Sequence, residues 1–249
     1  MYDIGVIGGM GPKATSILLD KIVDFTKATC DQEHPSIIVL NNTKIPDRTH
    51  YILTQEGCSP FDGIDEALTI LSSLIKSKGT VGMVCNTAHY FADAIENKAK
   101  LYGLNFINMP WFTLKYISLS HLSRRCCVLC TQGTKVAQIY DKANHENLEI
   151  SYPTDKQCRE ISSMIYRIKD TSNIDYQEVA LQLSELMEQI GNYTFILVCT
   201  ELSILDKSLL GEACVVDAMD ILAMVLVNKS GYDIGMLHEG YDEKIIRMM

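Results

Sequence analysis

Short runs of apolar and β-branched residues recur along the chain, and longer segments with helically spaced apolar positions separate them. Short strands that alternate with helices are typical of βαβ units and of parallel sheets buried on both faces. The predicted strands are 3–9, 36–42, 80–86, 106–108, 126–131, 148–153, 195–200 and 213–217, and the predicted helices are 12–28, 62–77, 88–101, 134–145, 156–169 and 175–190. The pattern therefore predicts an α/β fold.

A weak internal repeat divides the chain into two halves. Four segments at strand ends of the first half match four of the second half in the same order, among them VGMVCNTAH (81–89) and TFILVCTEL (194–202). Any two βαβ runs share some pattern, but both of these strands end in a cysteine that short polar residues follow. We expect two pseudosymmetric α/β domains with mainly parallel sheets and the active site in the cleft between them. The expected first domain is discontinuous, 1–108 and 217–249, and the second is 109–216.

Composition and charge argue against several classes of protein. The 249 residues carry a net charge of −9 and no basic run, which argues against nucleic-acid binding. No segment approaches the roughly 20 apolar residues of a membrane span. The N-terminal MYDIGVIGG is typical of a first core strand rather than of a signal peptide, so we expect a cytoplasmic protein. The C-terminal segment 235–249 is expected to complete the first domain or to form an interface.

The nine cysteines occur without a secretory signal, which indicates reduced thiols. Cys126, Cys127 and Cys130 are close enough to suggest a metal site, but CCVLC is typical of a buried strand, and no second ligand pair follows at zinc-finger spacing. Packing in the core is the favoured interpretation, and no metal is predicted. Cys85 and Cys199 differ, because each ends an apolar strand and precedes a predicted helical stretch. A helix N-terminus lowers the pKa of a thiol, so both are candidate reactive thiols, although a core residue is the ordinary interpretation of either one.

Six motifs of the chain resemble those of a known family. They are IGVIGGMGPKAT (4–15), DQEHP (31–35), NNTKIPDRTHYIL (41–53), CNTAHYFADAI (85–95), TQGT (131–134) and VCTELS (198–203). Together they are similar to the aspartate/glutamate racemase superfamily, and most closely to the aspartate racemases. Glutamate racemases proper carry Asp-Ser-Gly and Cys-Thr-His where this chain has Gly-Gly-Met-Gly-Pro and Cys199-Thr200-Glu201. The resemblance implies a pseudosymmetric two-domain fold, racemisation without a cofactor, and a homodimer.

The resemblance also implies roles for the two cysteines. Racemisation removes the α-proton from one face of the substrate carbon and returns a proton to the opposite face, so it needs two proton-transfer groups. Cys85 and Cys199 are implied to be these groups, and cysteine suits the task because its unperturbed pKa of about 8.5 is close to working pH. The productive state would pair one thiolate with one thiol.

Backbone groups beside the cysteines are candidate contacts for the substrate. The amides of Asn86, Thr87 and Ala88 are candidates to cradle the α-carboxylate, and Thr200 and Glu201 are candidates for the matching task in the second half. Two alternatives stay open, namely that Asn86 and Thr200 only cap helices and that Glu201 orients the substrate ammonium.

Two cations are candidate ligands for a second carboxylate. The resemblance implies that Arg48, in the polar loop IPDRT, holds the side-chain carboxylate of the substrate, although on its own it is typical of a surface arginine. The resemblance also implies a lysine in the helix of the second half that performs a similar task, and Lys169 in MIYRIKD (164–170) is the favoured match, with Lys156 as the alternative.

Weaker candidates complete the predicted site. The family places Met10 of the GGMGP loop near the cleft, and this loop lacks the spacing of nucleotide-binding motifs. Thr131 and Thr134 lie in the equivalent loop of the second half, and His89 is interpreted as a structural histidine. The sequence thus predicts a racemase of L- and D-aspartate. The alternatives are a racemase of glutamate or of a broad set of amino acids, and a catalytically silent amino-acid-binding protein.

Overall fold

The computed structural model describes residues 1–170, 174–235 and 241–249. Its strands are β1 (Tyr2–Gly8), β2 (Ile37–Asn41), β3 (Ile75–Met83), β4 (Asn105–Ile107), β5 (Arg125–Leu129), β6 (Glu149–Ser151), β7 (Thr194–Leu197) and β8 (Val215–Asp217). Its α-helices are α1 (Pro12–Phe25), α2 (Arg48–Thr54), α3 (Pro60–Leu74), α4 (Ala92–Leu101), α5 (Met109–Leu119), α6 (Gln132–Val136), α7 (Ile139–Lys142), α8 (Asp155–Lys169), α9 (Tyr176–Ile190), α10 (Ala218–Lys229) and α11 (Glu243–Met248). Short 3-10 helices span Asp31–Glu33, Thr87–Phe91, Leu202–Ile204 and Lys207–Leu210.

The strands form two four-stranded sheets with the same topology. Their orders are β2-β1-β3-β4 and β6-β5-β7-β8, and every pair of neighbouring strands is parallel. The repeated order confirms the expected α/β fold with two similar, parallel halves. Within each sheet the strands end in register, as at Ile7 opposite Met83 and Leu129 opposite Leu197. The loops that follow therefore leave each sheet at one edge, where parallel sheets bind ligands.

The sheets are buried because helices cover their faces. In β5 and at Cys130 directly after it, the side chains alternate between two cores, so that Cys126 and Cys130 contact one cluster of apolar residues and Cys127 contacts another. These three thiols are buried among aliphatic side chains, in agreement with the core interpretation.

Helix α10 connects the two halves. It begins directly after β8 of the second sheet but packs against α1 and β3 of the first half. Its residues Ala218–Val227 are buried around the whole circumference, so it fills a space between layers rather than covering one face. The expected domain division at residues 108 and 217 stays a prediction.

Three predicted elements differ from the structure. The helix expected over 62–77 ends at Leu74, because Ile75 already pairs with Tyr2 at the start of β3. The helix expected over 134–145 is two short helices, since Gln138 between them has a left-handed backbone with φ of 52°. The segment expected to begin the helix 88–101 is a 3-10 turn.

The C-terminal segment 235–249 is described in part. Residues 236–240 lie outside the described residues, and α11 contacts α5 and α10. Within the described part of the chain, no helix is both long and apolar enough to cross a membrane.

Candidate active site

A small cavity lies where the two halves meet, at the carboxyl ends of the central strands. Its volume is about 30 Å³. It is lined by Met10, Asp47, Arg48, Thr49, Cys85, Asn86, Thr87, Thr131, Ile165, Tyr166, Lys169, Val198, Cys199, Thr200 and Glu201. Of the predicted contact residues, the structure brings all to the cavity except Ala88, whose side chain is buried in the core of the first half, and the weaker candidate Thr134.

Arg48 is placed in the cavity by the start of α2. Asp47 caps this helix, since its carboxylate accepts a hydrogen bond of 2.7 Å from the His50 amide. The guanidinium donates to the carbonyl oxygens of Met10 at 2.8 Å and Pro46 at 3.0 Å. Its Nε–H is buried and has no hydrogen-bond partner. Arg48 is therefore a fixed cation with a donor left for a ligand.

Cys85 contacts this arginine. Burial alone would lower the pKa of Arg48, but the neighbouring Cys85 side chain raises it. The Cys85 side chain is 6% exposed. The first cysteine thus faces a fixed positive charge.

Cys199 faces the opposite charge. Its Sγ–H donates a hydrogen bond of 2.8 Å to Oε2 of Glu201. Burial and the neighbouring Glu201 carboxylate raise the pKa of Cys199 well above its usual value. The expectation that a helix N-terminus lowers the pKa of this thiol is wrong, because only the single 3-10 turn Leu202–Ile204 follows.

Lys169 supplies the second cation. Its Nζ lies 3.5 Å from Oε1 of Glu201. Burial would lower the pKa of Lys169, but Glu201, Cys199 and Cys85 raise it, so the amine stays charged. Lys156 lies on the exposed side of α8, where it pairs with Glu160 at 3.8 Å, and it does not line the cavity.

Asn86 joins the two halves behind the cysteines. Its Nδ2 donates to the carbonyl oxygen of Val198, and its Oδ1 accepts a hydrogen bond of 2.9 Å from Tyr140. The side chain makes no helix-capping hydrogen bond. The alternative that Asn86 only caps a helix is therefore wrong.

Threonine hydroxyls from both halves meet at the cavity edge. Thr87 is 2.9 Å from Thr134, and Thr49 donates to Thr131 at 3.3 Å. Thr134 is buried behind Thr131 and does not line the cavity.

His89 is held by two hydrogen bonds of the protein. Its Nδ1 is 2.9 Å from the Cys85 carbonyl oxygen, and its Nε2 accepts the Met109 amide at 3.2 Å. Burial lowers its pKa to about 4. Because a carbonyl oxygen only accepts, Nδ1 carries the proton and the ring is neutral. This arrangement supports the structural interpretation of His89.

Five lining residues were not predicted, namely Asp47, Thr49, Ile165, Tyr166 and Val198. Helical spacing offers a signal for one of them, because Tyr166 precedes Lys169 by one turn on the same face of α8. In the described part of the chain, no group of three or more His, Cys, Asp or Glu side chains is arranged to hold a metal ion.

The family of the chain follows from comparison with known proteins. The sequence model of the family described as Asp/Glu/Hydantoin racemase matches residues 7–226, which is most of the chain. The chain belongs to this family. The resemblance of the motifs to the aspartate/glutamate racemase superfamily is thereby confirmed.

Named relatives and solved structures of related proteins are similar to this chain over nearly the whole length of those proteins. The broad specificity amino-acid racemase RacX of Bacillus subtilis (strain 168) is 24% identical over 235 residues, covering 90% of this chain and 96% of RacX. The structure of Picrophilus torridus aspartate racemase has a TM-score of 0.81 and 24% identity, covering 98% of both chains. An aspartate racemase homologue from Pyrococcus horikoshii OT3 has a TM-score of 0.71 and 20% identity, covering 92% of this chain and 99% of that chain. At these identities the structures show a shared fold.

Proposed function

We propose that this protein is a cofactor-independent amino-acid racemase that interconverts L- and D-aspartate through Cys85 and Cys199. The observation that carries the proposal is that two thiols, from equivalent strand ends of two similar halves, line one cavity. Binding alone would need neither thiol. Proton transfer on opposite faces of one carbon needs two such groups.

The proposed reaction moves one proton in each direction. One cysteine, as thiolate, takes the α-proton and becomes a thiol, while the electron pair of the broken C–H bond moves into the α-carboxylate. The other cysteine, as thiol, then returns its proton to the opposite face and becomes a thiolate. Backbone amides at Asn86, Thr87 and Ala88 are proposed to stabilise the enediolate-like charge that develops on the carboxylate.

The proposed substrate follows from the two cations. Arg48 offers its unpartnered Nε–H and Lys169 its ammonium group. A dicarboxylic amino acid would pair with both, which favours aspartate over substrates with an apolar side chain. Met10, Thr131 and Thr200 are proposed to complete the walls, and a homodimer is proposed on the family resemblance.

Binding requires the cleft to open. A volume of about 30 Å³ holds two or three water molecules, at roughly 10–15 Å³ for each, which is too small for an amino acid. We therefore propose that the halves separate to admit the substrate and close around it before proton transfer.

The test is exchange of the substrate α-proton with deuterated solvent, followed together with racemisation. Cys85→Ala and Cys199→Ala are each expected to lower racemisation to background. Cys30→Ala, at an exposed cysteine, is the control and keeps the wild-type rate. Racemisation at the wild-type rate in either Ala variant of the cavity cysteines would refute the two-base mechanism. Tight aspartate binding without any proton exchange would instead establish a binding protein.

The second candidate is a racemase of broader specificity, and the similarity to RacX favours it. A panel of L-amino acids assayed by chiral chromatography separates the two. Under the proposal, aspartate turns over faster than alanine because only aspartate pairs with both cations. Equal rates would refute the proposed role of Arg48.

A further inference from the structure

The two cysteines lie in opposite electrostatic surroundings. Cys85 lies beside the guanidinium of Arg48, which the carbonyl oxygens of Met10 and Pro46 hold in place. Cys199 donates its proton to a carboxylate oxygen of Glu201 at 2.8 Å. A fixed cation stabilises a thiolate, whereas an adjacent carboxylate stabilises the thiol.

Glu201 is held firmly in this position. Its side chain is 5% exposed, so solvent screens its charge poorly. A Cβ atom at Gly11 would lie 2.7 Å from Oε1 of Glu201, and the glycine of the first loop therefore makes room for the carboxylate. Oε1 has no hydrogen-bond partner, and Oε2 is left to Cys199.

The other charges around Cys199 do not cancel this effect. The groups that act on this thiol are Glu201 of its own turn, Lys169 of α8 and Cys85 of the first half. Lys169 approaches the far oxygen of Glu201 at 3.5 Å, and Arg48 lies on the side of Cys85. The carboxylate thus stands between Lys169 and the thiol proton.

We propose that Glu201 is a positioning residue that holds the proton on Cys199 in the free enzyme, so that Cys85 is the resting base. This inference rests on the proposed racemase function. One enantiomer can then react with the resting form as it is, because its α-proton lies on the side of the Cys85 thiolate. The other enantiomer needs the reverse form, thiolate Cys199 and thiol Cys85.

Each catalytic cycle conserves protons and returns the enzyme to its resting form. Cys85 gains the substrate α-proton and Cys199 gives its own proton to the opposite face, which leaves a Cys199 thiolate beside the Glu201 carboxylate. After product release, Cys199 takes a proton from water and Cys85 loses one to water, which restores the resting form. Repulsion between the thiolate and the carboxylate drives this return.

The unequal forms have a kinetic consequence. The two enantiomers are equally stable, so kcat/KM is the same in both directions. An enantiomer that binds only the minor form has a KM raised by the reciprocal of that form's population. Its kcat must be raised by the same factor. Replacing Glu201 by the neutral Gln is expected to bring the two KM values closer together.

The decisive experiment measures which cysteine carries the thiolate, without substrate. The whole enzyme is pulsed with iodoacetamide near neutral pH, and each cysteine is followed by mass spectrometry of its peptide. Cys85 is the less accessible of the two, since it is buried and Cys199 is partly exposed. Access alone predicts faster labelling of Cys199, whereas the proposal predicts that Cys85 is labelled about tenfold faster, because only the thiolate reacts.

The variant Glu201→Gln tests the cause. The Gln side-chain oxygen can still accept a hydrogen bond from the Cys199 thiol, but the negative charge is removed. Labelling of Cys199 is expected to rise about tenfold, because the pKa of its thiol falls when the Glu201 charge is removed, while labelling of Cys85 stays within about twofold. The matched control is Glu188→Gln, which removes the same charge from the exposed face of α9.

Two results would overturn the inference. The first is that iodoacetamide labels Cys199 as fast as it labels Cys85 in the wild-type enzyme. This result can be obtained without any variant. The other is an equal rise at both cysteines in Glu201→Gln, which would mean that Glu201 controls access to the cleft. The proposed racemase function can fail independently of this inference. In that case no amino acid exchanges its α-proton with solvent, although Cys85 is still labelled faster than Cys199.

Discussion

Both ring nitrogens of His89 are used inside the protein. One donates to the carbonyl oxygen of Cys85 and the other accepts the amide at the start of α5. The ring therefore fixes the backbone of the Cys85 turn to the start of α5, and its proton is not available for transfer. The protonated ring would lose the hydrogen bond from Met109 and would carry a charge in the core.

His89 is expected to make the protein less stable in acid. Burial lowers its pKa to about 4, below the value of about 6.5 in an unfolded chain. As pH falls below 6.5 the unfolded state takes up this proton and the folded state does not, so stability is lost between 6.5 and 4. The loss from this residue is about 3 kcal/mol. Urea unfolding over this pH range should show a shallower pH dependence in His89→Gln.

The control for this measurement is His121→Gln, at an exposed histidine. It should keep the wild-type pH dependence, although both variants lose one imidazole. If His89→Gln has the same pH dependence as wild type, the buried imidazole is not the group that titrates.

At the scale of helices and strands, the sequence correctly predicted the elements in which apolar residues follow a regular pattern. Apolar runs identify the central strands β1, β5 and β7 because these are buried on both faces. The start of β3 was hidden, since Lys76 and Lys78 lie in it and Lys78 has a left-handed φ of 63°. Such an irregular backbone depends on tertiary pairing, which local periodicity does not encode.

The same distinction holds for the site. The repeated strand-end motif predicted that Cys85 and Cys199 share a cleft, because topology alone brings equivalent strand ends together. Spacing did not predict that one thiol faces Arg48 and the other faces Glu201. Side-chain direction in two short turns decides that asymmetry, because a 3-10 turn rather than an α-helix directly follows each cysteine motif.

A buried ion network joins three elements behind the second cysteine. Asp217, fully buried at the start of α10, accepts from Ser203 at 2.7 Å and pairs with Lys207 at 2.8 Å. Lys21 of α1 pairs with Asp220 at 2.5 Å. Although burial would raise the pKa of Asp217, Lys207 and Lys21 hold it below its usual value. The network thus anchors the segment after Cys199 to the first half.

Removing the Asp217 charge is expected to destabilise the fold. In Asp217→Asn the side-chain oxygen can still accept the Met219 amide that caps α10, but two lysines then share the single carboxylate of Asp220. Breaking a buried ion pair in this way costs about 3 kcal/mol. Urea unfolding at neutral pH measures the change. The exposed Asp24→Asn on α1 is the control, and equal stability of the two variants would show that the network contributes little.

At the scale of the whole molecule, the two halves make close contact around a cavity too small for the proposed substrate. Asn86 reaches across to the strand end of Cys199, and Gly133 of α6 lies against Thr49 of α2. A Cβ atom on Gly133 would be 2.8 Å from Oγ1 and 2.9 Å from Cα of Thr49. Because the second of these is a backbone atom, a rotamer change cannot relieve the clash. The glycine is therefore required for the closed contact at this edge.

Gly133→Ala is expected to hold the halves apart. Alanine suits the helical backbone of α6 and adds up to about 1 kcal/mol of helix propensity, so the loss should appear in closure rather than in folding. The α-carbon would then sit too far from one of the two thiols, and kcat/KM should fall at least about tenfold, since proton transfer needs hydrogen-bond distances. Steady-state racemisation measures the loss, and urea unfolding confirms that the variant is folded. Wild-type kinetics in Gly133→Ala would mean that the chemistry does not depend on contact between α2 and α6.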